Sequence, residues 1–157
     1  MYLLIQCFTF ASLNNNIMPT AGNFYIATLK KTHLGWGIHR RTKTRTARQN
    51  EGFLPIPSKY SIAFNITNFH NQQQSATYHF STSDGFIKNK LLLASGNKVR
   101  GDIFAKNFHG KGDLKLLGYW FQHINAKIGD HIKVEFLSST EILLTHWQPT
   151  ATPQASI

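Results

Sequence analysis

The sequence predicts a mainly β fold (α+β), most simply a small barrel, with six or seven short strands and two short helices. Three observations predict it. Short stretches rich in β-branched and aromatic residues recur along the chain, Gly-, Asn- and Asp-containing turns separate them, and helical spacing is confined to two brief segments. A chain of 157 residues fits one domain, since about 150 residues bury roughly 68–70 % of their unfolded surface. Hydrophobic residues make up 41 %, including 12 Phe, 5 Tyr and 3 Trp, which excludes a disordered polycation. The lone Cys7 excludes a disulfide framework and a cysteine-rich zinc module; it reads as a small buried hydrophobe in a reducing compartment.

Residues 2–13 (YLLIQCFTFASL) are apolar but too few to span a bilayer, and they lack a basic leader. Residues 1–20 are therefore expected to be an N-terminal extension or the remnant of an upstream segment. Met18 is a possible alternative start, and an edge strand is another reading of the same stretch. The domain is expected over residues 21–147 and a frayed tail over 148–157. Residues 23–29 (NFYIATL) read as the first strand. Residues 30–52 carry almost no apolar periodicity and read as a long exposed arm, a feature that is unusual in a compact domain and normally functional. Pro57 is placed to open the first helix, with Ile56, Tyr60, Ala63 and Phe64 near one face. Residues 77–81 alternate as a strand, Asp84-Gly85 is a turn, and 86–93 and 102–108 are further strands around a Ser95-Gly96-Asn97 turn. Residues 114–124 form the second helix, with Leu117, Trp120, Phe121 and Ile124 at helical spacing. Gly129-Asp130 turns the chain into the alternating strand 131–137, and 141–147 pairs back as the last hairpin arm.

Charge is distributed unevenly. The formal net charge is +10, yet the first acidic residue is Glu51, and residues 1–50 carry seven cations, all between Lys30 and Arg48. The remaining 107 residues contribute only +3. A stripe of this kind implies a polyanionic partner, nucleic acid before an anionic membrane surface.

Two stretches carry a family resemblance. Phe53-Leu54-Pro55-Ile56-Pro57-Ser58-Lys59-Tyr60, running on to Phe64-Asn65-Ile66, is similar to an "L-P-x-x-A-x-x-F" first helix. Gly118-Tyr119-Trp120-Phe121, followed by Ile128-Gly129-Asp130-His131-Ile132-Lys133-Val134-Glu135-Phe136, is similar to a "G-W-x-x-F … L-x-x-G-D-x-V-x-F" ending. In this order, over residues 23–147, the chain resembles the DNA-binding pseudobarrel of the plant B-three type. The polar arm and the Gly-Asp-Ile-Phe-Ala-Lys stretch at 101–106 resemble the bacterial members that serve as recognition or effector domains of type II restriction endonucleases. The prolines around the helix depart from the plant pattern, and the arm is longer and more basic. The resemblance implies a seven-stranded open pseudobarrel in the bacterial cytoplasm that grips the major groove between an N-arm and a C-arm. Double-stranded DNA would be its partner, together with a catalytic nuclease domain or subunit, and no cofactor or membrane is implied.

The N-arm candidates are His39, Arg40, Arg41, Thr42, Lys43, Thr44, Arg45, Arg48, Gln49 and Asn50. Cations alternate there with hydroxyl and amide groups: Arg can bridge guanine and Asn or Gln adenine bidentately, while Lys and Thr suit phosphates. A solvated basic loop or a nonspecific RNA-binding tail explains the same residues. The C-arm candidates are Asn97, Lys98, Arg100, Lys106, Asn107, His109 and Lys111, with Lys115 continuing the series and Gly110 and Gly112 allowing close backbone approach. An ordinary hairpin loop with solubilising lysines is the competing reading. Trp36 could stack on a base or pack the arm against the core. His131-x-Lys133 lacks the acid that an H-x-K nuclease requires after four intervening residues, where Ser138 stands, and an alternating strand explains the pair better. The seven acids show no carboxylate cluster ahead of a lysine, and the eight histidines show no zinc spacing, so no catalytic or metal site is expected. The expected function is sequence-specific duplex binding, without catalysis. The alternatives are a small nuclease with an unrecognised centre, or a nonspecific single-strand or RNA binder.

Overall fold

The computed structural model describes residues 18–40, 44–71 and 76–148. Cys7 with the rest of 1–17, and the tail from 149 onward, lie outside the described residues. Seven strands form one mixed sheet: β1 (Phe24–Thr28), β2 (Leu54–Pro55), β3 (Thr77–Thr82), β4 (Lys90–Ser95), β5 (Asn107–Gly110), β6 (His131–Phe136) and β7 (Glu141–Trp147). Their spatial order is β1-β6-β7-β3-β4-β5-β2, antiparallel except for the parallel β3–β7 pair. The sheet curls into a nearly closed barrel whose seam lies between β1 and β2, which share no ladder. The expected mainly β, seven-stranded open barrel is thus what forms.

Alternation writes the core. β6 points Ile132, Val134 and Phe136 inward; β1 adds Tyr25 and Ala27, β7 Ile142 and Leu144, β3 Tyr78 and Phe80, β4 Leu92 and Ala94. The seam is bridged by side chains. Tyr25 donates its hydroxyl to the Pro55 carbonyl at 3.2 Å and stacks on Tyr60 at 5.4 Å, and Phe64 meets Phe136 edge-on. Burial pushes the Tyr25 hydroxyl pKa far up, so it stays a protonated donor.

Four short α-helices are present among the described residues where two were expected: α1 (Lys31–Leu34), α2 (Trp36–His39), α3 (Ser58–Ala63) and α4 (Leu116–His123). The additional pair lies in what the sequence reads as an open loop, because a single turn is too short to display periodicity. In α3 the fully buried residue is Ser61, whose hydroxyl bonds the Ser58 carbonyl, whereas Ala63 faces solvent. In α4 the expected Leu117, Trp120 and Phe121 are all buried. Strand β4 begins four residues later than expected because Asp84 organises the preceding turn. Its carboxylate accepts from the Thr82 hydroxyl, the Phe86 amide and the Trp120 indole at 2.9 Å, pinning α4 to the barrel wall. Strand β5 also starts late, which leaves 96–106 as a loop apart from the isolated bridge between Thr67 and Phe104.

The Gly-Asp turn ahead of β6 has a mechanical explanation. Gly129 adopts φ +94, and Asp130, buried, accepts from the Lys127 amide and from His146 of β7 at 2.8 Å. Reciprocal backbone bonds then join Leu29 to Gly129 and Asp130, fixing the direction in which the chain leaves β1.

Candidate nucleic-acid interface

The N-arm begins where β1 ends. Lys30 N donates to the His33 ring, α1 and α2 follow at once, and the chain returns along itself: Trp36 N to Glu51 O, Arg48 N to Gly37 O, Phe53 N to His33 O. The two legs touch so closely that a Cβ on Gly37 would lie 2.2 Å from the Arg48 carbonyl oxygen. The arm therefore has a rigid base over 31–39 and 48–53, and it is not the structureless loop of 30–52 that composition predicts. His33 sits in this base, buried against Phe53 at 5.0 Å, and burial followed by the nearby Lys30 charge holds its pKa down although the Thr28 carbonyl pulls it upward.

The ten N-arm candidates divide sharply. Arg41, Thr42 and Lys43 lie outside the described residues. Arg45 turns inward to an ion pair with the buried Glu51, so its charge is spent on holding the arm. Arg40 lies 5.4 Å over the Trp36 ring. Asn50, at φ +65, accepts from Gln122 and lays its backbone on Gly118 of α4. His39 is half-buried at the end of α2, while Thr44, Arg48 and Gln49 are exposed.

The seven C-arm candidates fall in three places. Asn97, Lys98 and Arg100 belong to the β4–β5 loop, Asn107 and His109 to the outward face of β5, and Lys111 lies just beyond it, its ammonium 3.4 Å from the Thr77 hydroxyl. Lys106 pairs with Asp102 at 3.1 Å. The loop is compact. Asn97 N donates to the Asp102 carboxylate, Asp102 N to the Asn97 carbonyl, Arg100 N to the Asn97 side chain and Gly101 N to Lys98 O. Asn68, fully buried, donates to the Asp102 carbonyl from behind.

Strands β2 and β5 run antiparallel with Leu54 opposite Phe108 and Pro55 opposite Asn107. The loops that precede them therefore leave opposite ends of a ladder two residues long. Between them lie Asn107, whose side-chain oxygen accepts from Ser95 at 2.6 Å, and His109, stacked on Trp36 at 6.4 Å. With its oxygen engaged, the Asn107 amide presents donors. Burial lowers the His109 pKa, against an opposing bond to the Gly110 carbonyl, so the ring is neutral at pH 7. Trp36 thus packs the arm to the barrel, through Phe53 at 5.6 Å as well as His109.

Five of the seven acids are engaged by side chains of the protein, while Asp113 and Glu141 stand exposed. Glu51, Asp102, Asp130 and Glu135 are each paired with Arg45, Lys106, His146 and Lys133, and Asp84 is bonded to Trp120. Among the described residues no group of three His, Cys, Asp or Glu side chains is placed to hold a metal ion, and no helix is long and apolar enough to cross a membrane. His131 and Lys133 face Thr28 and Glu135 respectively, as strand residues. Sequence reasoning missed two supports of the site. Glu51 had a signal, being the first acid after seven cations, whereas Asn68 had none.

No protein-family model matches the chain, and no curated protein matches it. Architecture and charge alone define its class: a basic, mainly β, nearly closed barrel carrying two braced loops.

Proposed function

We propose that this chain binds double-stranded DNA sequence-specifically through its two loops, as the recognition or effector module of a restriction-endonuclease-type protein. Cleavage belongs to a catalytic domain or subunit elsewhere. The observation that carries the reading is the layout of the β2–β5 ladder. Two braced loops flank an outward face where Asn107 offers amide donors and Lys111 offers charge, and Glu51 and Asp102 in the loops are already paired. Such a face supplies both components of DNA recognition, cations for phosphate register and fixed polar groups for base edges. The Arg45–Glu51 pair and the Trp36–His109 stack brace one loop, and the Asn97–Asp102 bonds brace the other. Preorganised loops lose little ordering entropy on binding.

The test is fluorescence anisotropy of the full chain with labelled duplex, single-stranded DNA and RNA at several salt concentrations. Three phosphate contacts, by Arg48, Lys98 and Lys111, would give log K a slope of about −2.7 against log [salt] on duplex. Duplex is expected to bind tightest. Tighter binding to single strands or RNA would replace this reading with a nonspecific small-barrel binder, and metal-dependent cutting by the purified chain would make it a nuclease.

A further inference from the structure

We infer that Val99, at the tip of the β4–β5 loop, reads the C5-methyl group of a pyrimidine in the major groove. The inference rests on the duplex-binding reading above and deepens it. Val99 is 97 % exposed, far beyond the other large apolar side chains. Its neighbours Lys98 and Arg100 are both exposed cations. An isopropyl group held in water buries no apolar area in the fold, so the whole of its surface is open to a partner.

The tip is held firmly. The four bonds among Asn97, Lys98, Arg100, Gly101 and Asp102 close a tight turn, and Gly101 takes the φ of +67 that lets it reverse. Lys106 and Asn68 clamp Asp102, the hub of the turn, from two further sides. A β-branched side chain is stiff about χ1, so the turn presents two methyl groups in a fixed direction. Cations on either side would draw this tip to a phosphate-lined groove, where the one apolar feature on a base edge is the methyl at C5. Thymine and 5-methylcytosine offer the same group. The contact would distinguish thymine from the other bases, and methylated from unmethylated cytosine.

The experiment uses the full chain and the duplex it prefers, with each thymine replaced in turn by uracil and each cytosine by 5-methylcytosine. Affinities are measured for the wild type and for Val99→Ala, which at so exposed a position leaves folding unchanged. Loss of one buried methyl contact costs about fourfold in affinity. At one position the wild type should lose that fourfold on thymine-to-uracil exchange, or gain it on cytosine methylation, while Val99→Ala is indifferent to the methyl group. Response to uracil identifies thymine as the source; response to 5-methylcytosine alone identifies methylated cytosine. If duplex binding is sequence-specific but Val99→Ala tracks the wild type at every exchange, the methyl contact is wrong and the DNA reading stands. If no duplex is preferred over another, the DNA reading itself falls.

Discussion

Replacing Gly118 by alanine sets helix propensity directly against packing. Gly118 lies inside α4, where Ala is intrinsically the better residue by about 1 kcal/mol. A Cβ there would stand 1.7 Å from the Asn50 carbonyl oxygen and 2.6 Å from its carbon, so the two backbones must part by about 1.7 Å to reach ordinary contact at 3.4 Å. Neither side can yield cheaply. The loop is tied by Trp36 N to Glu51 O and by Gly52 N to Leu114 O, and the helix is anchored by the buried Trp120 and Phe121. Overpacking a fixed core costs about 1–3 kcal/mol, and a backbone-on-backbone clash belongs at the top of that range. The net expectation after the propensity gain is a loss of about 2 kcal/mol, read by urea denaturation followed through tryptophan fluorescence. Duplex affinity should fall as well, because the same contact seats the N-arm. A Gly118→Ala variant as stable as the parent, or about 1 kcal/mol more stable, would refute the claim that α4 forms the bed of the arm.

Arg45→Ala should destabilise the fold by about 3 kcal/mol, because it strands the buried Glu51 carboxylate, and Arg45→Ala/Glu51→Gln should recover part of the loss; equal thermal melts for all three proteins would contradict the clamp. Stability should fall in two stages on acidification. His33 and His109 are kept neutral in the fold, so the unfolded chain takes up more protons and stability drops as pH falls below about 6.5. A second loss comes near pH 4 and below. Burial raises the Asp130 and Asp84 carboxyls, but their bonds to His146 and Lys127, and to Thr82, Phe86 and Trp120, outweigh it and lower both, so their contribution vanishes as pH drops through the folded values. Urea midpoints from pH 8 to pH 3 would reveal both stages, and His109→Gln should shrink the first. Lys98→Ala should weaken all duplexes alike and reduce the salt slope by about one, whereas Arg100→Ala should cost about 1–3 kcal/mol and relax preference at one base pair; identical effects of the two on every duplex would deny base reading to this loop.

Most of the barrel was legible in the sequence because its signal is local. β6 and β7 alternate cleanly, and α4 carries three core residues at helical spacing, so each element announces its own face. The parallel β3–β7 pairing was not legible, since nothing within either strand specifies a partner some sixty residues away. Strand β2 escaped notice because two residues, one of them proline, carry no periodicity. The candidate site was legible as a composition and not as a geometry. Acid-free charge marked the N-arm, but the sequence could not tell that Arg45 spends its charge on Glu51 while Arg48 faces water. The C-arm series looked continuous from Asn97 to Lys111, and only the late start of β5 divides it into loop tip and barrel face.

The central claim, that a barrel with two braced loops reads duplex sequence, is tested most directly by selection of the full chain against random duplexes. A short recovered motif, bound less well when Arg100 or Asn107 is replaced by alanine, is the predicted result. Repeated rounds without enrichment, from a protein that still binds DNA with a salt slope near −2.7, would contradict it and leave a charge-driven binder without sequence preference.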